Sequence, residues 1–118
     1  MFLKINTPQE TQLELEIGKV KQELVGLGDL CPGILYTQYN TCGSPNCKCR
    51  ADPPQKHGPY YQVSYIRNGK NSTNFVKEEH LSAIREQLRN YKRMKELVDR
   101  WVELSIYLSN LRLACHRV

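Results

Sequence analysis

Three thiols and one imidazole stand within sixteen residues of this chain: Cys42, Cys47 and Cys49, then His57 ahead of Gly58-Pro59-Tyr60. Thiolate and neutral imidazole are the donors that zinc prefers, and four of them close a tetrahedral structural site. The spacing, C-x4-C-x-C-x7-H, is not one of the common finger patterns, so the residue types carry the argument more than the intervals do. One residue between Cys47 and Cys49 lets an extended backbone aim both side chains to one side, and Gly43, Ser44, Pro45 and Asn46 can turn the chain to bring Cys42 back. Lys48 and Arg50 would offset part of the thiolate charge, weakened by solvent. Zn2+ is therefore the expected cofactor, held by Cys42, Cys47, Cys49 and His57.

Other chemistries fit these residues less well. A disulfide between Cys47 and Cys49 would close a very small, strained ring, and a redox dithiol normally has two residues between its cysteines. A Cys–His nucleophile pair would leave a third cysteine without a task. An open, catalytic zinc would want a nearby Glu, as in the zinc deaminases, and none lies close in sequence. His57 read as a plain turn residue is the bland alternative to ligand. With no carboxylate or nucleophile constellation elsewhere, an enzyme is not expected. Of the two remaining cysteines, Cys31 reads as a small buried hydrophobe, and Cys115, beside His116, as a non-ligand near the end of the chain.

The chain has 118 residues, 25% of them charged, and a net charge of +5. That length suits one domain with a modest core, in the range where a metal staple helps. No apolar run approaches the ~20 residues that span a bilayer, and Met1-Phe2-Leu3-Lys4-Ile5 is too short for a signal-peptide core, so the expected setting is cytoplasmic and away from membranes. Five cysteines, an odd number, then point to metal chemistry over a disulfide framework. The charge is uneven: residues 1–40 carry three Lys against five acids, residues 41–80 six Lys or Arg against three, and residues 81–118 eight against four. Such an excess suits a nucleic-acid footprint and, equally, a solvated helix face.

Flanking elements must position the loop. Thr7, Pro8 and Glu10 have the form of an N-cap, a first helical residue and a capping box, and Leu13, Ile17, Val20, Leu24 and Leu27 repeat at steps of four and three. A helix over 7–28 follows, ended by Gly26, Gly28 and Asp29. Ile34 to Tyr39 reads as a short strand. Asn68-Gly69 between two β-rich runs, Tyr60–Arg67 and Asn71–Val76, is a strong hairpin signal, with Tyr61, Val63 and Tyr65 on one face. From 77 to 115 no Pro or Gly interrupts a stripe of Leu81, Ile84, Leu88, Tyr91, Met94, Val98, Trp101, Leu104 or Ser105, Leu108 and Leu111, which predicts a helix about 50 Å long. The first helix can cover about half of it as an antiparallel partner, leaving the rest for a second copy of the chain or some other helix.

The run from Cys42 through Gly69-Lys70 resembles a family of short, uncharacterised prokaryotic and mobile-element proteins with the pattern CGxPxCxC, then HGPYY and GK, followed by a long helix. The matching positions are Cys42, Gly43, Pro45, Cys47, Cys49, His57, Gly58, Pro59, Tyr60, Gly69 and Lys70. The Pro-rich stretch from Ala51 to Lys56 and Phe75 depart from that pattern without touching a proposed ligand. The resemblance implies a zinc-binding loop and no particular activity.

The expected fold is thus α+β in a single domain over 1–118: a helix over 7–28, zinc loop and β-hairpin over 33–76, and a long C-terminal helix over 77–115 in a helical hairpin or coiled coil. The expected role is a zinc-stabilised nucleic-acid-binding accessory or regulatory protein. Lys48, Arg50, Lys56, Arg67 and Lys70 would contact the backbone, DNA would be favoured over RNA, and the long helices would form a homodimer. The alternative is a helical adaptor whose zinc loop presents the hairpin to a protein.

Overall fold

A computed structural model describes residues 6–115, with Cys115 described by its backbone alone. The reading of Cys115 and His116 as non-ligands therefore lies outside the described side chains. The elements run α1 (Pro8–Val25), β1 (Ile34–Asn40), β2 (His57–Arg67), β3 (Lys70–Val76) and α2 (Leu81–Cys115), with 3-10 turns at Lys48–Arg50 and Glu78–His80. This is the α+β architecture that the patterning predicts. No helix among the described residues is long and apolar enough to cross a membrane.

The backbone divides into two compact units, one of residues 1–29 with 90–118 and one of residues 30–89. In the first, α1 starts as expected: Thr7 caps it, accepting a 3.2 Å hydrogen bond from the Glu10 N–H, and Pro8 fills the first turn where no N–H is needed. It stops at Val25, short of the expected 28. Gly26 takes the cap position and donates to the Gln22 carbonyl, since glycine gains little from continuing a helix. Leu13 and Ile17 pack with Leu104 and Leu108 of α2, and Val20 and Leu111 extend that core.

Ion pairs outside the core fix an antiparallel helical hairpin. Arg112 meets Glu10 and Glu14, Arg100 lies 3.9 Å from Glu16, and Arg93 donates to Glu23 at 2.5 Å, so α2 numbers fall as α1 numbers rise. The hydrogen bond from Arg93 holds the Glu23 carboxyl below its ordinary pKa. Along α2 the buried seam runs through Leu97, 4% exposed, instead of the expected Val98, at 40%. Leu97, Leu104, Leu108 and Leu111 keep the seven-residue alternation that places side chains on one face of paired helices, and Val98 falls about 100° off it. Tyr107 is exposed as well, and Trp101 sits at the seam's edge with the Lys21 ammonium 5.1 Å from its ring centre.

The second unit is a three-stranded antiparallel sheet, ordered β1-β2-β3, with its loop and the first turns of α2. Asn68 (φ 53°) and Gly69 (φ 76°) make the tight turn between β2 and β3, both left-handed as a type I′ turn demands. At the start of β1, Gly33 has φ 111°, and a Cβ there would stand 2.3 Å from the Ser64 carbonyl oxygen, so only glycine admits the close approach of β1 to β2. Tyr61, Val63 and Tyr65 share the inner face of β2, with Val63 buried. Cys31 is buried near them, donating its N–H to the Gln87 carbonyl at 3.1 Å, and burial pushes its thiol pKa up. It packs as the small hydrophobe that the sequence suggests. The long helix begins at Leu81, because Glu78–His80 forms a 3-10 turn first.

Candidate metal centre

The donor atoms of Cys42, Cys47, Cys49 and His57 all lie within 4.8 Å of one another. Cys42 Sγ and Cys49 Sγ are 3.6 Å apart, and Cys47 Sγ is 3.0 Å from His57 Nε2. Ligands at the usual Zn–S and Zn–N distances in a tetrahedron would be separated by roughly 3.5–3.8 Å. The four therefore fit one ion with shifts of the order of an ångström. The 3.6 Å sulfur separation far exceeds a disulfide bond, and Cys31, Cys42, Cys47 and Cys49 are free thiols.

Local sequence explains how the donors converge. Cys42 follows β1 by two residues, and His57 opens β2 opposite Asn40, so the sheet register sets the distance between the first and last ligand. Gly58, next to His57, has φ 139°, and a Cβ there would meet the Gln38 carbonyl oxygen at 2.8 Å. A side chain at 58 would push His57 off the sheet edge. Between them the chain turns at Ser44–Cys47, where the Cys47 N–H donates to the Ser44 carbonyl at 3.3 Å. Cys47 and Cys49 are then carried by a 3-10 turn, which corrects the expected extended segment. The tighter winding turns both sulfurs inward with only Lys48 between them, and the Arg50 N–H closes the turn on the Cys47 carbonyl at 3.0 Å.

The cluster has its own electrostatics. Cys49 is 1% exposed, and Cys42 and Cys47 are half-buried. Hydrogen bonding from the backbone at Ser44, then from His57, lowers the Cys42 pKa, and the backbone at Cys49, then the Cys42 thiol, lowers that of Cys47. At Cys49 the Cys42 N–H, 3.3 Å away, favours the thiolate, but burial together with the Cys47 and Cys42 sulfurs outweighs it and raises the pKa. Three thiolates this close repel, and a divalent cation among them removes that penalty. All four groups are spent as donors, which is the pattern of a closed structural site.

The expected basic residues fall into two groups. Lys48, Arg50 and Lys56 belong to the loop, whereas Arg67 and Lys70 pair across the hairpin tip. The eleven residues of β2 separate the groups by about 33 Å. Arg50 is committed to the loop, its guanidinium donating to the Cys42 carbonyl through Nε at 3.2 Å and Nη2 at 3.0 Å. The outer face of the sheet went unread in the sequence: Tyr36, Gln62 and Phe75 form one cross-strand row, Tyr60 lies diagonal to Phe75, and all three aromatics are exposed. Two-residue alternation placed Tyr60 on that face, but only the strand register brings Tyr36 and Phe75 beside it.

The fold and the site define a small α+β protein built around a Cys3His cluster able to hold a metal ion. The chain belongs to the family described as a domain of unknown function (DUF6788), which matches residues 10–89. No curated protein matches it. No solved structure matches it either.

Proposed function

We propose that this is a small zinc-stabilised nucleic-acid-binding accessory protein, of regulatory character and mobile-element origin, in which zinc is structural and no catalysis occurs. One observation carries it: residues 30–89, the unit containing the cluster, hold eight Lys and Arg against four acids, which is +4 of the chain's +5. A zinc ion with three thiolates has a net charge of −1, so the loaded unit stays near +3. Positive charge concentrated on one small unit favours phosphate backbones by releasing their counterions. Lys48 and Lys56 at the loop and Arg67 and Lys70 at the tip are the phosphate contacts in this proposal, with Arg50 holding the loop. Binding to labelled DNA and RNA across a salt series tests it. Affinity should fall steeply as salt rises, and Arg67→Ala with Lys70→Ala should flatten the slope by roughly 1.4–1.8 for the two phosphates released. No binding of either nucleic acid at low salt sinks the proposal.

Self-association through the long helix is a second component, favoured by Val98, Val102, Ile106 and Leu113, all exposed along α2 at helical intervals. Apolar side chains at steps of four and seven make a stripe that a second copy can cover. Sedimentation should give a homodimer, converted to monomer by Val102→Asp with Ile106→Asp; a wild-type monomer at high concentration removes this component and leaves an unpaired helical hairpin.

A further inference from the structure

We infer that the outer face of the sheet is a stacking platform for single-stranded nucleic acid, an inference that rests on the nucleic-acid reading above and specifies its target. The exposed aromatics are the starting observation. Phe75 is 77% exposed, and Tyr36 flanks it across Gln62 in one cross-strand row. Leaving large rings in water is unfavourable by roughly 25 cal/mol per Å2 of apolar surface, so their clustering on the solvent face marks a surface meant to be covered. Pro59, Tyr60, Tyr61, Phe75, Val76 and Lys77 line a groove of about 400 Å3 at this end of the sheet, which also borders Glu78. Three rings and an ammonium around one groove suit a base and its phosphate together.

Charge complementarity selects the occupant. The outer face itself, made of Ile34, Tyr36, Gln38, Tyr60, Gln62, Ser64, Ile66, Asn71, Thr73 and Phe75 by the strand register, bears no formal charge. Its two ends do: at the hairpin tip Arg67 and Lys70, a pair on the alternate face whose long side chains flank the turn, and at the other end Lys48, Lys56 and Lys77, together with the acids Asp52, Glu78 and Glu79. A single strand laid along β2 thus meets cations at both ends of a run of about 33 Å and rings between them. Duplex DNA fits less well. Three strands place the outer backbones about 10 Å apart, and the edge strands' own width and side chains take the sheet beyond a major groove of about 12 Å. Stacking also accepts any base, in keeping with the lack of a residue set that would read base edges.

The test compares a labelled oligothymidylate and an oligouridylate, each about twelve nucleotides long, with a duplex of equal length, by fluorescence anisotropy at fixed low salt. The single strands should bind tighter than the duplex. Phe75→Ala and Tyr36→Ala should each weaken them by about 5- to 150-fold, while metal content and circular dichroism stay as in the wild type. If the duplex binds at least as well, and the aromatic variants change nothing while Arg67→Ala with Lys70→Ala weakens binding, the platform is refuted and the nucleic-acid function survives. If no nucleic acid binds, both fall. If Phe75→Ala converts a dimer to a monomer without altering nucleic-acid binding, the face is a surface for a second copy and the inference is wrong.

Discussion

Replacing Cys49 by serine separates a metal staple from an ordinary buried thiol. Cys49 is almost wholly buried, its Sγ accepts the Cys42 N–H at 3.3 Å and it stands 3.6 Å from Cys42 Sγ. A serine hydroxyl can still accept that N–H, so without metal the substitution costs about 1 kcal/mol, the scale of one hydrogen bond. Losing the metal costs far more. At free zinc about a thousandfold above Kd, binding to the folded state alone contributes about 4 kcal/mol. For a unit of sixty residues, Leu30–Arg89, that corresponds to a melting shift of about 15–30 °C. Its described buried hydrophobic residues are only Cys31, Cys49, Val63 and Leu81, so little else resists unfolding. Calorimetry of metal-loaded and chelated samples, with elemental analysis, should give one zinc per wild-type chain, none in the variant, and the full gap in the loaded state alone. A variant that melts with the loaded wild type, or a gap that survives chelation undiminished, refutes a metal staple here.

Three further outcomes are expected. Gly58→Ala should destabilise the sheet unit by about 1–3 kcal/mol and weaken zinc binding, because its Cβ meets the Gln38 carbonyl in left-handed backbone; titration with a competing chelator checks both effects against wild type. Arg112→Ala should cost about 1–3 kcal/mol in urea unfolding, since Glu10, 0% exposed, loses the guanidinium beside it, whereas Arg100→Ala, whose partner Glu16 is 3.9 Å away in solvent, should cost under about 1 kcal/mol. Zinc affinity should fall as pH is lowered, by up to about tenfold per unit for each proton displaced: the ion takes only thiolates, Cys42 and Cys47 give up their protons early, and Cys49 holds its own longest. Calorimetric titrations in buffers of different ionisation enthalpy count those protons, and a pH-independent affinity contradicts the thiolate set.

Where residue chemistry is local, the sequence was readable. Thr7-Pro8 and Glu10 specify a helix start through three consecutive backbone groups, and Asn68-Gly69 specifies a turn through two φ angles, so neither needs a distant partner. Donor types alone likewise singled out Cys42, Cys47, Cys49 and His57. Less readable were features set by small differences between neighbours. The extended path expected through Lys48 gave way to a 3-10 turn, because the Cys47 and Lys48 carbonyls receive the N–H groups of Arg50 and Ala51. The stripe on α2 was displaced from Val98 to Leu97, since a helix with apolar residues at both positions has its buried side chosen by the helix packed against it.

By itself, then, the sequence determined which side chains could ligate a metal, where the helices and the hairpin lie, and that positive charge gathers in the loop, hairpin and last helix. Tertiary structure decided that the four donors converge within 4.8 Å, that the basic residues divide between two ends of β2, and that Tyr36, Tyr60 and Phe75 share an exposed face. The reason is one of range. Capping, turn formation and donor chemistry act over a few bonds, whereas the distance from Cys42 to His57 and the alignment of three aromatics depend on strand register, which a one-residue slip would invert.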